Sequence, residues 1–298
     1  MTNLETIPFL PSSYDWGLVG LSILIAIIAS LTAIIASLTV LNMDGFGAVK
    51  WGWHRLGWTL GGAAAMGTGI WAMHFTGMLA FHLPLPVVYD FPLTVLSYLA
   101  AVAGSGIGIF VVSRPTLSAK TLILGSSSMG LGITIMHYTG MAGMRLQAII
   151  HWNNWLISFS VLMTIMVSLC GLWFVFQMGR TKIWQNLGGA AIMGLAIPSM
   201  HNTAMAAASF QKTDEYVRDF SDAITISTLG STVTILSTFL ILGFTLMLLL
   251  MNRKLLHQAA TLEELSTRNH LLLNSMEEEI FGLDMEGKTT FINRAGAR

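Results

Sequence analysis

The sequence predicts an all-α membrane protein with seven transmembrane helices, six of them arranged as three helix-pair repeats. Of the 298 residues, 54% are hydrophobic and 10% are charged, which is far too apolar for a soluble domain. The chain contains seven apolar runs of membrane-spanning length. It also contains three copies of one short motif at nearly equal spacing, which indicates three similar structural units.

Each apolar run is long enough to cross a bilayer as a helix, and none contains Asp, Glu, Lys or Arg. The acidic N-terminus leads directly into a run of spanning length, so we expect no cleavable signal peptide. Cys170 is the single cysteine, which excludes an intrachain disulfide. The runs lie near residues 16–41, 56–80, 93–113, 121–144, 154–178, 187–210 and 223–251.

Basic residues are concentrated on one side of the predicted membrane. The second connection holds no basic residue, the fourth holds Arg145, and the sixth holds Lys212 and Arg218. Eight basic residues lie in the odd-numbered connections and after the last run. The positive-inside rule then predicts that the N-terminus is outside and the C-terminus is in the cytoplasm. A formal net charge of zero gives no support to nucleic-acid binding. The eight are Lys50, Arg55, Arg114, Lys120, Arg180, Lys182, Arg253 and Lys254.

The repeated motif falls near the C-terminal end of the second, fourth and sixth runs. It reads MGTGIWAMHFTGM at 66–78, MGLGITIMHYTGM at 129–141 and MGLAIPSMHNTAM at 193–205. The histidines are 63 and 64 residues apart. Repeats in membrane proteins often place a functional site at the interface between them, so we expect the three motifs to meet.

Each motif offers one imidazole and several thioethers from a helix. A histidine and the methionine four residues later share one helix face, and another methionine directly precedes the histidine. Thioethers select Cu(I) and imidazole suits copper and zinc, whereas Mg, Ca and Mn need carboxylates that the runs lack. The predicted metal ligands are His74, His137 and His201 with Met78, Met141 and Met205, and in addition Met73, Met136 and Met200.

Other interpretations of the motifs remain open from the residues alone. Intramembrane histidines can hydrogen-bond between helices and methionines can fill gaps in a core, although an ionisable residue in a membrane more often indicates function. Histidine and methionine are also axial haem ligands, so haem is an alternative cofactor. Transport of copper or another solute and a purely structural anchor are further alternatives. A retinal protein is excluded, since no lysine lies in any run, and no catalytic constellation predicts an enzyme in this chain.

MHFTGM, MHYTGM and MHNTAM resemble the signature of the MHYT domain, a sensor module of the bacterial inner membrane. The resemblance implies copper bound through these Met and His residues and the sensing of a diatomic gas such as oxygen, CO or NO. Tyr138 matches the signature, whereas Phe75 and Asn202 replace that residue in the other copies. The third copy also contains Pro198, which we expect to bend the helix just before His201 and either to aim His201 differently or to weaken it as a ligand. His82 and His151 are secondary candidates for metal entry.

The tail after the last run predicts a cytoplasmic signalling segment. Heptad spacing predicts a short parallel coiled coil and hence a homodimer, with Asn269 as the polar residue that fixes its register. The core positions are Leu255, Leu262, Asn269 and Met276, alternating with Gln258, Leu265 and Leu272.

The last residues predict two strands, 281–284 and 289–292, around a turn at Glu286-Gly287. This pattern resembles the opening of a PAS domain. We therefore expect a membrane sensor domain over 1–252, a linker helix over 253–275 and the start of a PAS domain over 276–298. The resemblance implies a histidine kinase or a cyclic-di-GMP cyclase or phosphodiesterase as the output of a longer protein.

Overall fold

The structure is a computed structural model that describes residues 9–44, 53–112, 114, 118–177, 183–213 and 223–297. Seven long helices dominate these residues. They are α1 (Trp16–Asp44), α2 (Trp53–Ala80), α3 (Phe91–Val112), α4 (Ala119–Ala142), α5 (Asn154–Gln177), α6 (Ile183–Ala206) and α7 (Ile226–Ser275). Of the basic residues that predict the orientation, Lys50, Arg180, Lys182 and Arg218 lie outside the described residues.

Five of the described helices are long and apolar enough to cross a membrane. These are α1 over Trp16–Ser37, α3 over Phe91–Val111, α4, α5 over Asn154–Phe174, and α7. The other two, α2 and α6, have many Gly and Ala residues and carry polar residues of the repeated motif, which lowers their hydropathy. The all-α membrane class is thus confirmed, whereas the number of helices that cross the bilayer stays a prediction.

Helices α1 to α6 form a closed ring. Each helix packs against the next in sequence, and α6 packs back against α1. Helix α2 also contacts both α4 and α6 across the ring. The three pairs α1–α2, α3–α4 and α5–α6 therefore surround one axis with approximate three-fold symmetry, and the motif-bearing helices face that axis.

The second residue of each motif brings two helices into backbone contact. A methyl group added to Gly67 would lie 2.5 Å from the Cα atom of Val102 on α3. The equivalent distances are 2.9 Å from Gly130 to Ile165 on α5 and 2.4 Å from Gly194 to Ile27 on α1. Each motif helix thus packs backbone to backbone on the first helix of the next pair, as small residues allow between membrane helices.

Short strands join the loops at one end of the ring. They are β1 (Ser13–Tyr14), β2 (Phe81–His82), β3 (Val88–Asp90), β4 (Met144–Arg145), β5 (Ala148–Trp152), β6 (Ala208–Lys212) and β7 (Ala223–Thr225). The pairings are β1 with β2, β4 and β7 on either side of β3, and β5 with β6, all antiparallel. Three of the pairings link the start of an odd-numbered helix to the end of the following even-numbered one, and the pairing of β3 with β7 joins the starts of α3 and α7. We call this strand-bearing end of the ring the cap.

Helix α7 begins at the cap and packs on the first helix pair. The Thr234 hydroxyl lies 2.7 Å from that of Thr76 on α2, and the Thr245 hydroxyl contacts that of Thr32 on α1. Gly61 makes room for the ring of Phe244, because a methyl group there would lie 2.9 Å from it.

The chain divides into two compact units, Met1–Leu248 and Leu249–Arg298. In the second unit α7 continues as one helix to Ser275, with Leu262, Leu265 and Leu272 exposed. It is followed by a hairpin of β8 (Phe281–Leu283) and β9 (Thr289–Ile292). The turn between these strands has a positive φ of 80° at residue 287, a conformation that glycine adopts readily. The side chain of Asn293 is fully buried and bonds to the backbone of Leu273, Glu278, Ile280 and Gly296. The predicted domain limits at 252 and 275 stay predictions.

The backbone contact at Gly194 gives a first testable prediction. We expect Gly194→Ala to lower the free energy of unfolding by about 1–3 kcal/mol, as overpacking of a filled interior typically does. Thermal unfolding of the detergent-solubilised protein measures the effect. Gly243→Ala on α7 is the matched control, because a methyl group there meets nothing within 4 Å. Equal stability of the two variants would contradict the packing described.

Candidate metal centre

The three motif histidines lie in the last two turns of α2, α4 and α6, next to the cap. His74 and His137 are fully buried and His201 is 2% exposed. The ring symmetry points the same face of each motif helix toward the axis, so three side chains separated by more than 60 residues in sequence meet there. Among the described residues they form one group of side chains close enough together to hold a metal ion.

The Nδ1 atoms of the three histidines form a nearly equilateral triangle. His74 lies 3.2 Å from both His137 and His201, and His137 lies 3.3 Å from His201, all measured between Nδ1 atoms. The ring centroids are 4.9–5.1 Å apart and each pair of rings is almost perpendicular, at 83–84°. The arrangement thus has the three-fold symmetry of the helix ring.

No pattern of protons on the Nδ1 atoms satisfies all three contacts. Each Nδ1 is either a donor that carries a proton or an acceptor with a lone pair. With two roles and three atoms, at least two atoms have the same role, so at least one contact joins two donors or two acceptors. A cation shared by three lone pairs removes this conflict, and the triangle is therefore suited to a metal ion.

The other ring nitrogens lie against glycines of the neighbouring motif. A methyl group at Gly140 would lie 2.6 Å from His74 Nε2, and one at Gly77 would lie 2.7 Å from His201 Nε2. The equivalent position in the third motif is Ala204, which is fully buried. Within the described part of the chain, the three Nε2 atoms are buried without a hydrogen-bond partner. The rings are thus held by shape, with Nδ1 directed to the centre.

The predicted methionine ligands are all buried, in two groups. Met73, Met136 and Met200 belong to one apolar cluster with the first methionines of the motifs. Met78, Met141 and Met205 belong to a second cluster, which extends into the cap. Because the first three precede the histidines and the others follow by one helical turn, thioethers lie on both sides of the histidine layer. Their role as ligands stays a prediction.

The residue after each histidine has a different environment in each motif. Phe75 is fully buried under Tyr89, whereas Asn202 is exposed. The Tyr138 hydroxyl is 2.8 Å from that of Ser160 on α5, so it is engaged away from the triangle. Pro198 lies inside α6, yet His201 completes the triangle at the same distances as the others. The redirection of His201 that the sequence predicts is therefore absent.

The secondary histidine candidates lie in the cap. His82 Nδ1 is 3.0 Å from the Ala80 carbonyl oxygen, and His151 Nε2 is 2.8 Å from Gln211 Oε1. His151 sits on β5 and Gln211 on the paired strand β6. Both histidines have local partners, and the structure does not bring either into the triangle.

Sequence reasoning missed the aromatic and ionic contacts that close the cap over the site. Tyr89 packs on Phe75, which packs on His74, with ring centroids 5.3 and 4.8 Å apart. Burial of Tyr89 on β3 raises the pKa of its hydroxyl. The neighbouring Asp90 accepts from the Leu93 amide at 3.0 Å and pairs with Arg145. The apolar Val87-Val88-Tyr89 stretch before a carboxylate was the available signal for this strand.

Comparison with known proteins gives matches over most of the ring. The family model for MHYT, described as a bacterial signalling protein N-terminal repeat, matches residues 5–45, 67–125 and 130–189. The bifunctional diguanylate cyclase/cyclic di-GMP phosphodiesterase MucR of Pseudomonas aeruginosa is 43% identical over 67% of this chain. The cyclic di-GMP phosphodiesterase NbdA of the same organism is 37% identical over 65% of it. The signaling protein YkoW of Bacillus subtilis is 31% identical over 95% of it.

These matches cover only part of each relative, namely 28% of MucR, 24% of NbdA and 35% of YkoW. No solved structure matches the chain. The matched segments of the family model include the histidine-bearing motifs at 66–78 and 129–141 almost entirely. The chain belongs to the MHYT family of bacterial membrane signalling proteins.

Proposed function

We propose that this domain is a membrane sensor that binds copper, as Cu(I), at the triangle of His74, His137 and His201 and responds to a diatomic gas or to redox state. The observation that carries the proposal is the convergence of three buried Nδ1 atoms at 3.2–3.3 Å from one another. When bound, Cu(I) would supply an open coordination position for oxygen, CO or NO. The histidines would hold the metal, and the cap would restrict access of water to it.

The size of the triangle fits a first-row metal ion. Dividing the side of 3.2–3.3 Å by √3 places its centre about 1.9 Å from each Nδ1. Typical metal–imidazole distances are about 2.0–2.1 Å. The three nitrogens would therefore hold a first-row metal ion without movement of the helices.

The surroundings favour a monovalent over a divalent ion. The cost of burying an ion in a low-dielectric interior rises with the square of its charge, so Zn(II) costs about four times as much as Cu(I) by this Born term. The apolar runs contain no Asp or Glu that would compensate a second charge. Buried thioethers on both sides of the histidine layer also suit Cu(I), and Met78, Met141 and Met205, which share a helix face with the histidines, would act as additional ligands.

The alternatives of haem and transport receive less support. A haem needs space for a flat macrocycle beside its axial ligand, whereas the three imidazole rings have centroids only 4.9–5.1 Å apart. The rings are packed further by Phe75, Tyr138, Gly77 and Gly140. A transported solute needs a path to both faces, and the described residues close the cap side with Tyr89 and Phe75.

The membrane arrangement is part of the proposal. All seven helices span the bacterial inner membrane, with the N-terminus and the cap outside and the C-terminus in the cytoplasm. The positive-inside bias of the connections supports this orientation. Helices α2 and α6 are accommodated despite their lower hydropathy, because the ring encloses their polar face and they need little contact with lipid.

Helix α7 and its extension carry the signal in this proposal. The exposed Leu262, Leu265 and Leu272 form a coiled coil with a second copy, with Asn269 fixing the register. The hairpin after α7 begins a PAS domain in a longer protein. Because MucR and NbdA carry cyclic di-GMP activities in their names, synthesis or hydrolysis of cyclic di-GMP is the proposed output of that longer protein.

Metal content tests the site directly. We expect protein purified in detergent and loaded with Cu(I) under reducing conditions to retain copper that the variant H74A/H137A/H201A loses. Elemental analysis after desalting measures it, and a visible spectrum of the same samples detects haem by its Soret band. The control is His82→Ala/His151→Ala, which removes two histidines outside the triangle. Equal copper in wild type and triple variant would reject the site, and a Soret band would replace copper with haem.

Gas binding tests the sensing part of the proposal. We expect Cu(I)-loaded wild type equilibrated with CO to show an infrared band of bound CO that is absent from metal-free protein and from H74A/H137A/H201A. The reason is that CO binds Cu(I) at an open position. If the protein retained copper but showed no band of bound CO, the metal site would stand and the sensing of a diatomic gas through that metal would be refuted.

The glycine contact gives a test that removes no ligand. Gly140→Ala places a methyl group where the structure has His74 Nε2 at 2.6 Å, so the imidazole must move. We expect the affinity for Cu(I) to fall roughly 10–100-fold, as for other changes that reorient a metal-bound histidine. Competition with a Cu(I) chelator measures it. Gly188→Ala on α6 is the control, since its methyl group meets nothing within 4 Å, and an equal affinity in both variants would contradict the role of Gly140.

A further inference from the structure

A pocket at the cap opens to the surface between the end of α4, strand β5 and the start of α5, where the second and third helix pairs meet. Its volume is about 440 Å³, far more than a diatomic molecule fills. Its lining passes from the exposed Trp152 and Asn154 through the half-buried Ile150 and Ile157 to the buried Met141. The pocket therefore leads from the surface into the interior beside α4.

The inner end of the pocket borders the histidine triangle. Tyr138 lines the pocket, and its ring packs edge-on against that of His137, with centroids 5.0 Å apart and planes at 86°. Met141 also lines it, one helical turn after His137 on the same face of α4. Met141 is in turn packed in the apolar cluster that contains Met78 and Met205. Tyr138 and Met141 thus belong both to the pocket and to the surroundings of the triangle.

The approximate three-fold symmetry is broken at this point. In the first motif the residue after the histidine is Phe75, which is fully buried under Tyr89. Tyr138 at the same position of the second motif is half-buried, and it packs on the exposed Trp152 with ring centroids 5.7 Å apart. Met205, the counterpart of Met141 in the third motif, does not line the pocket. The pocket therefore gives the second repeat a position that the other two do not share.

The chemistry of the lining favours a small apolar guest over an ion. Among the described residues, the lining contains no acidic, basic or imidazole side chain, and Met144 adds a further apolar surface. The Tyr138 hydroxyl is 2.8 Å from that of Ser160, so it is already engaged. A cation would find no charge to compensate the loss of its hydration shell, whereas apolar cavities take up small apolar guests such as xenon.

We propose that this pocket is the vestibule through which an apolar diatomic gas reaches the triangle, and that the ring of Tyr138 is the last barrier before His137. The inference rests on the proposed function, because it supposes that the gas binds at the triangle. The contacts of Tyr138 with Ser160 and Trp152 hold the ring in place. Movement of this one ring, without movement of the helices, opens the route.

The reactivity of a cysteine at the inner end tests the route in metal-free protein. In the background C170S, which removes the native thiol, we expect M141C in lipid nanodiscs to react with methyl methanethiosulfonate roughly tenfold faster than M205C, because reaction requires access to the thiol. Mass spectrometry of the modified protein measures the rates. Met205 is the matched position of the third motif and is 3% exposed, against 1% for Met141. Equal rates in M141C and M205C overturn the proposal.

Filling the pocket tests whether this space is the route. We expect I150W to slow the reaction of M141C to the rate of M205C, and I157W to do the same from the opposite wall. The control is I149W, because Ile149 precedes Ile150 on β5, points to the other face of the strand and is 37% exposed. The two filling variants lie on different elements, so loss of fold in one leaves the other as the test. Rates equal to that of I149W in the filled variants overturn the proposal.

The rate of CO binding connects the pocket to the triangle. In Cu(I)-loaded protein, we expect I150W to lower the second-order rate of CO rebinding after flash photolysis roughly tenfold, because a blocked route slows association. The CO bound at saturation and the copper content stay equal to those of wild type and I149W, because a route changes rates and not the bound state. CO that binds at equal rates in I150W and I149W overturns the route alone, whereas absence of bound CO from wild type refutes gas sensing and the route together.

Discussion

Backbone contact between helices at Gly67, Gly130 and Gly194 sets the dimensions on which the site depends. Because a methyl group at any of them would lie within 3 Å of a backbone carbon, the distance between pairs is fixed by glycine. The ring diameter in turn fixes how closely His74 and its two equivalents approach. A wider ring would leave three separate histidines, each able to find its own partner.

Approximate symmetry also concentrates an electrostatic conflict at one place. Two hydrogen-bonding partners can always divide the roles of donor and acceptor, whereas three identical atoms in mutual contact cannot. The conflict arises because the number of contacting atoms is odd, so it is present wherever three repeats bring the same histidine nitrogen into mutual contact. Departures in the third copy leave it unchanged, since Pro198, Asn202 and Ala204 alter the surroundings of His201 without opening the triangle.

The sequence was a good guide to what is decided locally. Apolar runs and motif spacing predicted the helices, and α7 extends beyond its predicted run because the residues after 251 contain no helix breaker before Ser275. The cap was not predictable in the same way, since β5 and β6 are five residues each and pair across about 60 positions of sequence. The sequence also could not predict that the Nδ1 atoms face one another, because this depends on the histidine rotamers. Gly77 and Gly140 on other helices restrict those rotamers by their contact with the Nε2 atoms.

The contact between Thr76 and Thr234 has a consequence for how a three-fold centre reports to a single exit. The contacts described for α7 are with the first helix pair, and Thr76 is two residues from His74. A change at the triangle in the proposed sensor would therefore reach α7 through α2, beside the sheet in which β3 joins β4 at the end of α4 to β7 at the start of α7. The three similar repeats are thus not equivalent, because the first contacts α7 along its helices and the second is connected to it at the cap.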